Sequence, residues 1–447
     1  MSEAEFSSEA EHRRFRPYPK YKASGIEWLG EIPAHWNVKR IKTMARLNTG
    51  GTPAGLLDEA FEVEGVPWVK PDNLNGDHGI ATPDRKLSPS AAKAVGIVKA
   101  GSSLVCGIGT VGKTGHAPFE VCTNQQINAI TFGCEVTNRF GQFIVSCLTH
   151  EFMRRANKVT LAICNKSEMG EVSMCAPPLT EQRFIATFLD RETAKIDALI
   201  EKKERLIELL QEKRTALITQ AVTKGLDPNV PMKGSGVEWL GEVPAHWDVL
   251  RLKYLSSIND EVLNEKTDPR FELIYVDIGG VDQYQGIVAS EELVFETAPS
   301  RARRIVRDGD VIISTVRTYL RAIAPIKHPE SNLIVSTGFA VIRPSSALEC
   351  NFAPYALRAS HFVERIVANS VGVSYPAIDT SKMSCFPAAT PDIEEQQEIA
   401  SFLESEMTKI DALVAKIREA IDRLKEYRTA LISAAVTGKI DVREIIA

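Results

Sequence analysis

"EQRFIATFLDRETAKIDALI" (Glu181–Ile200) returns as "EQQEIASFLESEMTKIDALV" (Glu395–Val414), 214 residues further along the chain. The match continues through "KRTALITQAVT" (Lys213–Thr223) and "YRTALISAAVT" (Tyr427–Thr437). A second repeated block precedes each of these. "SGIEWLGEIPAHWNVKRIKTM" (Ser24–Met44) and "SGVEWLGEVPAHWDVLRLKYL" (Ser235–Leu255) share fourteen of 21 positions at an offset of 211. Between the blocks, residues from about 45 to 178 and from 256 to 391 have little in common. Two different modules therefore sit in two copies of one frame.

The later block of each copy reads as a helix. Ile196, Leu199, Leu206, Leu210 and Leu217 fall on heptad a and d positions in the first copy, as do Ile410, Leu413, Ile417, Leu424, Tyr427 and Leu431 in the second. Thr180-Glu181 and Glu394-Glu395 put acids in the first turn, where they oppose the helix dipole. Each helix has room for about 40 residues, roughly 60 Å at 1.5 Å per residue. One apolar seam of that length needs a partner, and the nearest is its own repeat, running antiparallel. The modules carry short apolar or alternating runs bounded by Gly, Pro, Asn or Asp, among them "SSLVCGIG", "NAITF", "DVIISTV" and "GFAVIRP". Short helices are expected near 142–157 and 354–369.

The expected fold class is mixed α+β. Two small α/β modules would be separated by two long helices pairing as an antiparallel coiled coil, with an internal pseudo-two-fold repeat. The expected boundaries are a mobile tail at 1–23, modules at 24–178 and 227–392, and long helices at 179–226 and 393–447.

The 44% hydrophobic and 25% charged content is that of a soluble globular protein, and no apolar run reaches the 18 residues that span a bilayer, so no membrane partner is expected. The polar start has no apolar core segment of the kind a signal peptide needs. The eight cysteines form no C-x-x-C pair, which points to free thiols in a reducing cytoplasm and to no metal site. The net charge of −5 conceals a local imbalance: Arg301 to Arg343 holds eight Lys/Arg against three acids, a possible phosphate footprint.

"GIGTVGKT" (Gly107–Thr114) matches the phosphate-binding pattern G-x-x-x-x-G-K-[ST] at every fixed position. That loop works by running into a helix whose N-terminal amides face the phosphates. Here Gly115 and Pro118 follow within four residues, and the next segment alternates like a strand. A hairpin is expected instead, and the alternative of a nucleotide-binding enzyme using Gly107–Thr114 loses its chemistry. No dinucleotide fingerprint, G-x-S-x-G or H-E-x-x-H occurs, so no catalytic residue is assigned. His35 and His246 recur inside "PAHW" beside Trp36 and Trp247, where packing of module onto helix is their expected role.

"YKASGIEWLGEIPAHW" closing on "PPLTEQRFIATFLDRETAKIDALIEKKERLIELLQEKRTALI", repeated with "AVTGKID" near the end, resembles the specificity subunit of type I restriction–modification systems. The resemblance covers essentially everything after residue 20. It implies that the modules are target recognition domains, each reading half of a split double-stranded DNA sequence. The helices would act as a ruler and dock two modification (methyltransferase) subunits, and restriction subunits would join them. S-adenosylmethionine, ATP and Mg would belong to those partners, with no cofactor in this chain. A purely structural coiled-coil adaptor is the remaining alternative.

Base readout draws on Arg or Lys for guanine and Asn or Gln for adenine. The candidates in the first module are Asn73, Thr110, Lys113 and Gln125. Those in the second are Arg301, Arg303, Arg304, Arg317, Tyr319, Arg321, Ser374 and Tyr375, with "STVRTYLRA" (Ser314–Ala322) as the counterpart of "GTVGK" (Gly109–Lys113). Trp36 to Pro178 carries fifteen bases against twelve acids, so weak DNA binding by this chain alone is expected.

Overall fold

A computed structural model describes residues 15–53, 60–157 and 161–445. The repeated blocks form helices at Leu179–Lys224 (46 residues) and Ile393–Val436 (44 residues). The chain divides into two compact units, Met1–Lys202 with Ala420–Ala447, and Lys203–Glu419. Each unit thus holds one module, half of one long helix and the opposite half of the other.

In the first unit a four-stranded antiparallel sheet runs in the order Ala45–Thr49, Ile127–Phe132, Ser103–Cys106, Thr114–His116. The second unit repeats that order with Ser256–Ile258, Phe339–Pro344, Val311–Ser314 and Ile323–Pro325. The central strands are the continuous apolar runs of the sequence, and Ser103–Cys106 and Val311–Ser314 are buried throughout. In each unit a short strand pair joins the module's two ends, Asn37–Arg40 with Ser173–Ala176 and Asp248–Arg251 with Pro387–Thr390. The second layers differ. Phe61–Val69 pairs with Lys86–Leu87 and Cys122–Thr123 in the first unit, whereas the second has a mixed four-stranded sheet centred on Glu272–Val276 and Leu333–Ser336. The expected short helices are present as Asn138–Cys147 with Thr149–Arg155, and as Ala353–Arg358 with Ser360–Ala368.

The helix seam departs from the expected phase. Ile196, Leu210 and Leu217 do face inward, as do Ile410, Ile417, Leu424 and Leu431, with Tyr427 half-buried. Leu199, Leu206 and Leu413 lie outside it, at 43%, 43% and 44% exposed. Their places are taken one residue later by Ile200, Ile207 and Val414. Both phases satisfy a heptad on paper. The observed one advances four residues, then three, and brings Arg214 and Arg428 into the seam.

Part of the expected mobile tail of residues 1–23 is packed. Phe15 and Tyr18 are buried, Phe15 edge-on to Phe188 at 5.4 Å, and the Tyr21 hydroxyl donates to the Gly438 carbonyl at 3.1 Å. Three aromatic side chains carry enough apolar area to order this segment. Residues 1–14 lie outside the described residues. Among the described residues no helix is long and apolar enough to cross a membrane, and no group of His, Cys, Asp or Glu is placed to hold a metal ion.

Candidate nucleic-acid interface

Each module is anchored to its helix by the same four side chains. A buried indole N–H needs an acceptor, because leaving it unpaired forfeits its hydration. Trp36 Nε1 donates to Glu181 at 2.8 Å, and His35 Nε2 lies 2.6 Å from the other oxygen of that carboxylate. Trp247 Nε1 and His246 Nε2 both reach Glu395 at 2.8 Å. The next residue binds backbone. Gln182 accepts from Thr137 N–H and donates to the Glu135 and Pro177 carbonyls, and Gln396 does the same with Glu349, Ala347 and Pro391. The repeated "EQ" and "PAHW" are thus two halves of one joint, in keeping with the packing role expected for the histidines.

A second joint crosses the helix pair. Arg428 donates to Asp197 at 2.8 Å within the first unit, and Arg214 donates to Asp411 within the second. From Asp197 to Arg214 is seventeen residues forward, and from Arg428 to Asp411 is seventeen back, which is an antiparallel register. Asp197 and Asp411 are repeat equivalents, as are Arg214 and Arg428, so each copy gives its Asp to the other's Arg. The modules then engage these arginines differently. Asp77 grips Arg428 with both oxygens, at 2.9 and 2.7 Å, whereas the Tyr284 ring lies 5.5 Å from the Arg214 guanidinium.

Outward from these joints, each sheet carries a hairpin tip. Strands Ser103–Cys106 and Thr114–His116 pair antiparallel, so the residue closing the nucleotide pattern starts a strand, not a helix. The glycines serve the turn. A Cβ on Gly107 would stand 2.6 Å from Asn128 Nδ2 and 2.7 Å from the Cys164 carbonyl, and Gly112 has φ +85° against Thr149. Lys113 is exposed, with no ion-pair partner among the described residues, and Thr110 is exposed with its hydroxyl on the Cys106 sulfur. A second loop lies along this tip, closed by reciprocal hydrogen bonds between Asn157 and Ile163 and bridged from Ile163 to Ile108.

The second unit builds the same pair. Its hairpin tip runs from Thr315 to Ala322, and the neighbouring loop is closed between Val371 and Ala377 and bridged from Ala377 to Val316. Val371 and Ala377 stand 214 residues after Asn157 and Ile163, the helical offset, although no residue identity marks them. Sequence reading missed this equivalence.

The basic stripe is only partly free. Arg343 is bound by Asp310 and Glu261 at 2.8 Å each, and these carboxylates hold its guanidinium pKa above the usual range. Arg307 pairs with Glu261 at 2.7 Å and Lys327 with Glu404 at 3.2 Å. Arg301 donates to the Tyr275 hydroxyl, Arg303 lies 4.5 Å from the Phe295 ring, and Arg304 is half-buried, where desolvation pushes its pKa down. The stripe is therefore not one phosphate footprint, because Glu261, Asp310 and Glu404 neutralise part of it. Among the described residues Arg317 and Arg321 have no carboxylate partner. Arg317 lies on the tip over the Tyr375 ring, Arg321 lines a cavity with Arg214 and Tyr284, Tyr319 is exposed, and Ser374 and Tyr375 lie on the adjacent loop.

Two first-module candidates serve locally. Asn73 accepts from the Lys70 N–H at 2.9 Å to cap a short turn, and Gln125 accepts from the Thr52 hydroxyl. A groove of about 440 Å³ beside the edge strand was not anticipated. Arg46, Lys99 and Lys166 line it, and none has a carboxylate partner among the described residues.

These features define a class: a repeat protein of two modules, each set on halves of two antiparallel helices and presenting a hairpin tip bridged to a neighbouring segment. Residues 33–209 and 247–423 match the family described as the type I restriction modification DNA specificity domain, and the chain belongs to this family, with two DNA specificity domains. It is 23% identical over 431 residues to the type I restriction enzyme MjaVIII specificity subunit of Methanocaldococcus jannaschii, covering 93% of this chain and 95% of that one. It is also 23% identical over 449 residues to the MjaIX specificity subunit of the same organism, covering 97% and 99%. A solved chain from a study of assembly and conformational transition in the type I R-M system superposes with a TM-score of 0.65 at 15% identity, covering 91% of this chain and 98% of that chain.

Proposed function

We propose that this chain is the non-catalytic reader of a type I restriction–modification complex, each module reading one half of an asymmetric, bipartite DNA target. The observation that carries this reading is the duplicated tip and loop, one geometry with two unrelated sets of exposed side chains. Identical surfaces would read a palindrome; these would not. The exposed faces of the long helices dock two modification subunits, which bring S-adenosylmethionine for adenine methylation, while restriction subunits bring ATP and Mg. Lys113, Arg46, Lys99 and Lys166 meet DNA phosphates.

Sequencing host DNA for methylated adenines identifies the target. Replacing residues 45–178 with another family member's module is then expected to change one half-site and leave the other intact. A change in both halves together rejects the two-module reading.

Lys113→Ala is expected to weaken DNA binding by the assembled complex about eightfold near 0.1 M salt and to reduce the salt-dependence slope by about 0.9, as for one lost phosphate contact. The isolated chain should bind no ATP before or after the change, because a hairpin turn offers no row of helix N-terminal amides. ATP binding that disappears with Lys113 would instead restore the nucleotide-enzyme alternative.

A further inference from the structure

The second module ends in an exposed apolar surface. Val373 is 102% exposed, Val371 79% and Tyr375 65%, and Tyr319 and Leu320 on the neighbouring turn are also exposed. Exposed valines at a loop tip cost solubility and mark a contact surface when clustered.

The tip is also held in shape. The Val371 N–H donates to the Ala377 carbonyl at 2.8 Å and Ala377 returns the bond at 3.0 Å. The Arg317 N–H donates to the Pro376 carbonyl at 2.8 Å, and the Thr318 and Ser370 hydroxyls meet at 2.8 Å. Gly372 makes the turn at φ +121°, a conformation costly for other residues. Such a surface meets its partner without first paying to order itself.

Charge selects the partner. Arg317 stands 4.9 Å over the Tyr375 ring and has no carboxylate partner among the described residues. An apolar tip that also carries a free arginine suits a polyanion with an apolar group between its phosphates. In the major groove of DNA that group is the thymine 5-methyl, the one methyl group among the base edges.

We infer that Val371 and Val373 read thymine methyl groups in the half-site of the second module, with Arg317 on the flanking phosphate. This rests on the proposed DNA-reading function and deepens it. In module one the matching loop carries Leu161 and Ile163, both exposed, so apolar reading is not confined to one half.

The test uses the chain assembled with its modification subunits and the duplex located by adenine-methylation sequencing. Each thymine of the second module's half-site is replaced singly by deoxyuridine, which removes only the methyl. One or two positions should bind about fourfold more weakly, the value of one buried methyl. Val373→Ser, or Val371→Ser as the second variant, should weaken binding to the thymine duplex comparably and abolish the thymine–uracil difference there.

Equal binding of thymine and uracil duplexes at every position overturns the inference. So does a Val373→Ser variant that binds weakly but keeps the difference, which would make the tip a wedge or a general contact. Loss of co-purification with the modification subunit in both serine variants overturns it in favour of a protein contact. Absence of any bipartite methylated site is a separate result, and rejects the underlying DNA-reading function as well.

Discussion

Arg428→Met is expected to destabilise the first unit by about 3 kcal/mol, among the larger effects available to a single substitution. Arg428 donates to Asp77 at 2.9 and 2.7 Å and to Asp197 at 2.8 and 3.2 Å, and both Asp77 and Arg428 are largely buried. Removing the guanidinium leaves the Asp77 carboxylate in a poorly hydrated site with no countercharge. Breaking a buried pair from one side costs far more than the pair itself contributes.

The pH dependence gives the effect a signature. Burial alone would raise the Asp77 pKa, but the hydrogen bonds and charge of Arg428 outweigh it and hold the carboxyl below its ordinary value. A lowered folded pKa contributes stability above the unfolded value of about 4, and that contribution is lost as pH falls through the folded one. In the variant burial is opposed only by His78 and a backbone hydrogen bond, which it outweighs, so the folded pKa rises and acidification relieves the penalty. Urea unfolding should therefore show the largest gap between wild type and variant near pH 7, narrowing toward pH 4. A gap below about 1 kcal/mol, or one that does not change with pH, would show that the clasp contributes nothing specific. The equivalent Arg214→Met should cost less, because its partner Asp411 is exposed and is rehydrated once freed.

Trp247→Ala should cost about 3–5 kcal/mol, confined to the second unit. The side chain is fully buried and spans three parts of that unit. It bonds Glu395 at the start of one helix, and a Cβ on Gly225, just past the end of the other, would lie 3.4 Å from its ring. Trp36 fills the same place in the first unit, against Glu181 and Gly438. Each tryptophan therefore closes a helix start against the other helix's end. Hydrogen–deuterium exchange on Trp247→Ala should accelerate within residues 203–419 and leave the sheet of residues 45–132 protected. Uniform acceleration would mean that the joint is not local to its unit. Trp247→Phe should recover most of the loss, because it keeps the apolar volume and forfeits only the N–H bond to Glu395.

The long helices were legible because their signal is periodic and duplicated. The hairpin at Gly107–Thr114 was legible because Gly115 and Pro118 forbid the helix that a phosphate loop needs. The common sheet of the two modules was not. Its strands preserve burial and order but not residue identity, and alignment by letters passes over that. The loop pair at 157–163 and 371–377 was hidden for the same reason, although its backbone bonds recur at the helical offset.

By itself, the sequence determined the duplication, the two long helices, the short apolar strands between them and the break in the nucleotide pattern. Each depends on spacing or backbone restriction, properties that act along the chain. The tertiary structure decided the seam phase that packs Ile200 rather than Leu199 against the core, the arginines of the 301–343 stripe that stay free, and the burial of Phe15 and Tyr18. Those outcomes turn on partners far away in sequence. Arg428 meets Asp77 across 351 residues, and Arg343 meets Glu261 across 82. Charge pairing and burial are settled by what folding brings alongside, and no local pattern records it.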